Sequence, residues 1–341
     1  MRILLLSMLL AVLIPVAAIA QASAPKVDAK AQEVLKLARK AIGSEDKLKA
    51  LQSLSANGTR RVSMGQMNME GELEVDLMMP DKIRLSSGMT TPAGDIISIQ
   101  AINGDKVWTD MIRPIGGGGP GGGGGGFRGG GVMGGGMDQA KADILRLSLG
   151  LLLTTPSAFP LEYTYAGEAQ APDGKAEVVD VKGAGTFAAR LFFDQSSHHL
   201  LMLSYKGKDF RQMMRNGGRQ GGPGAGGQGG GQGRPPGMLS REELEKLPAE
   251  ERAKKEAEMK AARDKRDAEM RETMAKLPDV DYQWNFSDYK SVSGINLPHH
   301  ITKGVGGDTN EEWDISKYKL NQPIKADKFE KKEKDKSPGS N

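Results

Sequence analysis

The four histidines are the side chains of this sequence best suited to binding a metal ion, and they occur as two adjacent pairs. His198 precedes His199, and His299 precedes His300. Neighbouring residues on a strand point to opposite faces of a sheet, so each pair offers one imidazole per face. The sequence contains no cysteine that could complete a site. The pattern therefore favours imidazoles that hydrogen-bond at strand ends and turns, with a zinc or copper site as the alternative.

Acidic side chains at every second position form the other candidate for chemistry. Glu72, Glu74 and Asp76 alternate with apolar residues, which is typical of a strand with one face in water. A general acid and base need burial that separates their pKa values, and this wet face supplies none. The sequence also lacks the Gly-x-Ser-x-Gly and His-Glu-x-x-His motifs. We therefore expect a protein that is not an enzyme and that uses no cofactor.

Alternation of apolar and polar residues predicts that most of the chain is β-sheet. The clearest example is residues 279–320, which predict three strands separated by turns at Ser293-Gly294 and Gly306-Gly307. Counting similar runs gives about 11 strands, joined mostly by hairpins. The sequence thus predicts a mainly β (α+β) fold, in which a strongly curved antiparallel sheet or unclosed β-barrel has helices covering its concave face.

Two helical segments could provide this cover. Asp28 is a suitable N-cap for an amphipathic helix that ends near Gly43. A second helix is expected from Asp138 to Leu153, and its apolar residues surround much of the circumference. A helix that is apolar on most sides is buried on more than one side.

Two insertions interrupt the strands. Residues 114–137 are Gly-rich, and residues 208–277 combine a second Gly-rich stretch with a charged helix expected to begin at Ser240 in a capping box. Both Gly-rich stretches are expected to be flexible tethers. The sequence therefore predicts one domain over residues 27–325 with two insertions, followed by a disordered basic tail at residues 326–341.

The N-terminus predicts export. One cation at Arg2 is followed by an uncharged run that ends in Ala18-Ile19-Ala20, the pattern of a signal peptide over residues 1–20 that is cleaved after Ala20. An uncleaved membrane anchor is the alternative. We expect a periplasmic or secreted protein. Its 47 basic and 43 acidic residues nearly balance, so we expect no nucleic-acid partner and at most transient membrane contact through the basic tail.

Several segments carry a resemblance to a known family. They are residues 43–58, the strand pair at residues 72–84 that ends in Pro-Asp-Lys-Ile-Arg, Gly104-Asp105 before Trp108, and residues 286–299 from Phe-Ser-Asp-Tyr to Leu-Pro-His. Together they resemble bacterial exported proteins of the outer-membrane lipoprotein carrier (LolA/LolB-like) superfamily. This resemblance implies an unclosed β-barrel whose apolar concave face, covered by helices, accepts lipoprotein acyl chains or other lipids. The carriers lack the two insertions, so the resemblance implies a paralogue of unassigned ligand rather than a strict lipoprotein carrier.

We therefore predict a periplasmic binding or carrier protein for a lipid, an acyl chain or an acylated protein, held in an apolar half-barrel cavity. The predicted ligand-binding residues are Trp108, Ile144, Leu147, Leu151, Tyr163, Tyr165, Tyr282, Trp284, Phe286 and Trp313. For any single aromatic residue among them, filling the core is the competing interpretation. The alternative function is a non-catalytic envelope interaction or regulatory scaffold that presents the charged helix to a protein partner.

Overall fold

The computed structural model describes residues 28–64, 67–91, 94–112, 136–171, 174–211, 244 and 246–331. The predicted signal peptide, most of both Gly-rich stretches and Ser240 lie outside the described residues. In the part of the chain that is described, no helix is long and apolar enough to cross a membrane.

One open antiparallel sheet contains all twelve strands of the described residues. They are β1 (Ser53–Met64), β2 (Met67–Met78), β3 (Lys82–Thr91), β4 (Gly94–Asn103), β5 (Lys106–Ile112), β6 (Glu162–Ala171), β7 (Gly174–Lys182), β8 (Ala188–Asp194), β9 (Leu200–Lys208), β10 (Asp279–Val292), β11 (Ile295–Val305) and β12 (Asp308–Leu320). Their order is β5-β4-β3-β2-β1-β12-β11-β10-β9-β8-β7-β6. Because β5 and β6 form opposite edges, the barrel is unclosed. The predicted mainly β fold is confirmed, with one strand more than the expected number.

The pairing of β1 with β12 joins the first five strands to the other seven. Its register places Leu54 opposite Leu320 and Arg60 opposite Trp313, and it shifts between Asn57 and Gly58. A Cβ atom at Gly58 would collide with the backbone carbonyl of Asp314. The close approach of the two backbones therefore requires glycine at this position.

Two helices cover the concave face of the sheet. They are α1 (Ala29–Ile42) and α3 (Gly136–Leu152), with the short α2 (Glu45–Lys49) following α1. Asp28 caps α1 by accepting a hydrogen bond from the Ala31 amide at 2.7 Å, and its other carboxylate oxygen accepts one from the Tyr165 amide at 2.6 Å. The same residue thus begins the helix and attaches it to the edge strand β6.

The charged helix α4 (Ala249–Ala275) is exposed along its length. Its N-cap is Pro248. A residue before proline is disfavoured in the helical conformation, so Leu247 cannot easily continue a helix through this point. The predicted start at Ser240 lies outside the described residues and stays a prediction.

The last described segment lies on the convex face of the sheet. Ala326–Phe329 forms a 3₁₀ helix, and the Phe329 side chain is fully buried. Its carbonyl accepts a hydrogen bond from the Trp108 indole at 2.8 Å, while the Lys328 ammonium donates to Glu74 at 2.8 Å and to the fully buried Asp76 at 2.9 Å. The sequence placed a disordered tail from residue 326 onward, whereas residues 326–329 are docked on the sheet.

Truncation after Lys325 is expected to lower the free energy of unfolding by about 3 to 5 kcal/mol, because it removes the buried Phe329 and the Lys328 partner of a buried carboxylate. Truncation after Lys331 is the matched control, with an expected change within about 0.5 kcal/mol. Urea unfolding followed by circular dichroism measures both. Equal stability of the two truncated proteins would show that the docked segment contributes nothing.

Candidate functional site

Helix α3 fills the concave face of the sheet. Every side chain from residue 144 to residue 153 is buried, and the helix contacts β3, β4, β5 and β9. At Gly150 the helix lies directly on the ring of Phe286, where an added Cβ atom would overlap two ring carbons. The helix that the sequence predicted to be buried on more than one side is therefore enclosed by the sheet.

Eight of the ten predicted ligand-binding residues belong to or border one apolar cluster. Its buried members among the ten are Ile144, Leu147, Leu151, Trp284, Phe286 and Trp313, and Tyr163 and Tyr165 pack against it half-buried. Only 3% of Trp284, 2% of Phe286 and 1% of Trp313 is exposed. In this conformation the concave face is thus filled by protein side chains. Ligand binding by these residues stays a prediction, and it requires α3 to move.

The other two predicted residues lie elsewhere. Tyr282 stacks on Tyr205 with ring centroids 5.1 Å apart, and its hydroxyl donates to the Lys208 carbonyl at 2.7 Å. Trp108 is on the convex face, so its predicted position on the concave face was wrong. Its neighbour Val107 packs against the core instead. Val and Trp are both apolar and adjacent, so alternation alone could not decide which of the two faces inward.

A cluster of charged residues inside the concave face was missed by the sequence reasoning. Glu311 accepts two hydrogen bonds from Arg60, both at 2.9 Å, and one from the Trp313 indole at 2.5 Å. It also forms an ion pair with Lys303 at 3.3 Å. The side chains of Arg60, Glu311 and Lys303 are 12%, 14% and 17% exposed. The sequence did contain a signal for this cluster. Glu311 lies two residues before Trp313 and therefore on the same strand face, which is expected to be buried.

Two tryptophans enclose the ammonium group of Lys303. It lies 3.9 Å from the ring centroid of Trp284 and 3.8 Å from that of Trp313, and the two rings are 5.9 Å apart. Such contacts are favourable because the ring faces carry partial negative charge. Burial lowers the pKa of Lys303 even though Glu311 and Asp143 act in the opposite direction. Its one carboxylate partner within the described residues is Glu311, at 3.3 Å.

Helix α3 adds an ion pair of its own to this cluster. Arg146 donates to Asp143 at 3.0 Å, and its guanidinium lies 3.4 Å from the ring centroid of Tyr205. The Arg146 Nε atom is buried and, within the described residues, has no hydrogen-bond partner. Burial raises the pKa of Asp143, while the nearby Arg146 and Lys303 oppose that rise. We call the five side chains Arg60, Asp143, Arg146, Lys303 and Glu311 the buried charge cluster.

The histidines serve as hydrogen-bonding and stacking groups. His199 stacks on Tyr289 with ring centroids 4.3 Å apart, His299 Nδ1 is 2.8 Å from the Ile315 carbonyl, and His300 Nδ1 is 2.7 Å from Asp314. Across the described ranges, no three His, Cys, Asp or Glu residues are grouped to hold a metal ion.

Three solved structures are similar to this chain. One is an outer membrane lipoprotein-sorting protein domain from Vibrio parahaemolyticus, with 7% identity, a TM-score of 0.40, and coverage of 88% of this chain and 96% of that one. A DUF1329 family protein from Desulfovibrio piger has 10% identity, a TM-score of 0.43 and coverage of 88% and 97%. A LolA superfamily protein from Nitrosomonas europaea has 11% identity, a TM-score of 0.41 and the same coverage. No family model and no curated protein sequence matches this chain.

Gly150→Ala is expected to lower the free energy of unfolding by about 1 to 3 kcal/mol, because the added methyl group would overlap the Phe286 ring. Phe286→Leu removes that ring, so the double variant should be destabilised by less than the sum of the two single variants. Urea unfolding of the four proteins in this cycle measures the coupling. Additive effects would show that α3 does not rest on Phe286.

The pKa of Glu311 determines a pH-dependent part of the stability. Burial by itself would raise this pKa, but the charges of Lys303 and Arg60 and the hydrogen bonds from Arg60 and Trp313 lower it to about 2. A carboxyl group whose pKa is lower in the folded state stabilises the fold above its unfolded pKa. That contribution is lost as the pH falls from 4.5, the ordinary value for Glu, towards 2.

Glu311→Gln is therefore expected to lower the free energy of unfolding by roughly 3 kcal/mol at neutral pH. The difference from the unmodified protein should shrink as the pH falls from about 4.5 towards 2, because Gln does not titrate. Urea unfolding across this pH range measures it. The control Glu312→Gln removes an exposed partner of Arg61, with an expected effect below about 1 kcal/mol. A pH-independent difference for Glu311→Gln would contradict the assignment.

Proposed function

We propose that this protein is an exported, non-catalytic binding or carrier protein that holds a lipid or acyl chain non-covalently in its half-barrel. The observation that carries the proposal is that one helix, α3, covers much of the apolar concave face and is itself buried from residue 144 to residue 153. In the proposed cycle α3 withdraws, and the acyl chain takes its place against the same side chains.

The energetic argument concerns what can replace α3. Withdrawal of the helix would expose Trp284, Phe286 and their neighbours, which are now at most 3% exposed. An acyl chain that covers this surface contributes roughly 0.8 kcal/mol for each buried methylene. The exchange thus substitutes one apolar cover for another, and the sheet keeps its hydrogen bonds throughout.

Two features of α3 favour the exchange. The buried Arg146 Nε atom without a partner costs the closed conformation about 1 to 3 kcal/mol. The helix is also preceded by residues 114–137, whose composition predicts a tether, and in this proposal that tether lets α3 move away from the sheet without unfolding it. The closed conformation is therefore stable, but it contains a local cost that ligand binding relieves.

Titration with a long-chain fluorescent fatty acid tests the proposal, together with mass spectrometry of organic extracts of the purified protein. We expect saturable binding with one dominant site. The chain has no native thiol, so Thr109→Cys with Met137→Cys allows a short bismaleimide to tie α3 to β5, where these two side chains meet. The cross-linked protein should lose binding, and the same variant without reagent should keep it. Absence of both extracted lipid and saturable binding would refute the proposal.

A second candidate function rests on the exposure of α4. Its described side chains are exposed or half-exposed along the 27-residue length, and ion pairs such as Lys255 with Glu258, at 2.8 Å, are internal to the helix. Under this candidate the half-barrel is a rigid scaffold, and α4 docks to an envelope protein. Deletion of residues 215–276 separates the two functions, because fatty-acid binding should persist if the protein is a carrier.

A further inference from the structure

We infer that the amphiphile carries an acidic headgroup, a carboxylate or a phosphate, and that Lys303 and Arg60 bind this headgroup while the chain lies in the place of α3. This inference rests on the proposed function and names the chemical class of its ligand. It is carried by the arrangement of the buried charge cluster.

The buried charge cluster has an excess of positive charge. Its three cations share two carboxylates, and Glu311 is already the acceptor for Arg60, for Lys303 and for the Trp313 indole. In the described part of the chain, the Lys303 ammonium contacts one carboxylate oxygen and two indole faces. A buried ammonium can donate three hydrogen bonds, so an anion placed beside Lys303 would accept from an ammonium that now faces one carboxylate and two indole rings.

Helix α3 shares part of the form of the inferred ligand. The Asp143 carboxylate precedes the buried stretch 144–152, which is apolar except for Arg146 and Ser148 and is about 14 Å long at a rise of 1.5 Å per residue. The Asp143 carboxylate is close enough to Lys303 for each to shift the pKa of the other. The helix thus places a carboxylate, paired with Arg146, ahead of a mostly apolar stretch on the concave face.

The cations that remain after α3 withdraws are those of the sheet. Arg60 and Lys303 lie on β1 and β11, whereas Asp143 and Arg146 leave with the helix as a neutral pair. The sheet then holds two cations and the single carboxylate of Glu311. Lys303 then loses the nearby negative charge of Asp143, and an acidic headgroup replaces that charge.

One member of the buried charge cluster also borders a cavity. This cavity of about 300 Å³ lies at the ends of β1, β2 and β12, and Glu311 lines it together with Arg61, Glu70 and Glu312, among others. A headgroup at Lys303 would lie one residue, Glu311, away from it. A cationic headgroup in the same place would meet two cations of the same sign, so the geometry favours an anion.

Calorimetric titration of the full mature protein with four compounds tests the inference. The compounds share one apolar chain and differ in the headgroup: dodecanoate, dodecyl phosphate, dodecanol and dodecyltrimethylammonium. We expect dodecanoate, dodecyl phosphate or both to bind at least about tenfold more tightly than dodecanol, with the ammonium compound weakest. The preference between the two acids distinguishes a carboxylate from a phosphate headgroup.

The variant Lys303→Met keeps most of the apolar stem and removes the charge. It should weaken binding of the preferred acid at least about tenfold and change dodecanol binding less than about twofold. Lys303→Arg should restore part of the loss. The control Lys206→Met removes an exposed cation that pairs with Asp281 on the surface, and it should change neither affinity. Unfolding curves establish that each variant is folded.

The outcomes separate the two hypotheses. Three results would overturn the acidic headgroup while the carrier function stands. They are equal affinity for dodecanol and both acids, tighter binding of the ammonium compound than of the acids, and an unaltered acid affinity in Lys303→Met. Failure of all four compounds to bind would overturn the proposed function itself.

Discussion

The antiparallel pairing of β1 with β12 is the constraint on which the rest of the structure depends. It joins the five strands that precede α3 to the seven that follow it, so it creates the continuous curved face that the helix fills. Arg60 on β1 binds Glu311 on β12 through two hydrogen bonds across this pairing. Because both side chains are mostly shielded from water, the ion pair is strong only while the two strands keep their register.

The same ion pair lies inside a face that is mostly apolar, and the proposed function gives this combination a use. Replacement of a buried ion pair by apolar residues is often neutral or stabilising in proteins, so the fold alone gives no reason to place charges there. A bound amphiphile requires both properties in one face: an apolar surface for its chain and a polar end for its head. Helix α3 meets both requirements in the closed conformation through its leucines and Asp143.

Predictions from the sequence succeeded where a repeating pattern had only one interpretation. The alternation at β10 and the apolar circumference of α3 each pointed to one element, and both exist. Prediction failed where one residue decided between two options. Trp108 and Val107 are adjacent and apolar, and Phe329 anchors a tail whose composition is otherwise typical of disorder.

The sequence by itself determined the hairpin-rich, mainly β architecture and the burial of α3, because strand alternation and helix periodicity are local properties of consecutive residues. Only the tertiary structure brought Arg60, Lys303 and Glu311 together with the two tryptophans. Arg60 and Glu311 are separated by 251 positions in the chain, and their contact depends on the register of β1 against β12. That register is set by long-range pairing, which the local periodicity of either strand leaves open.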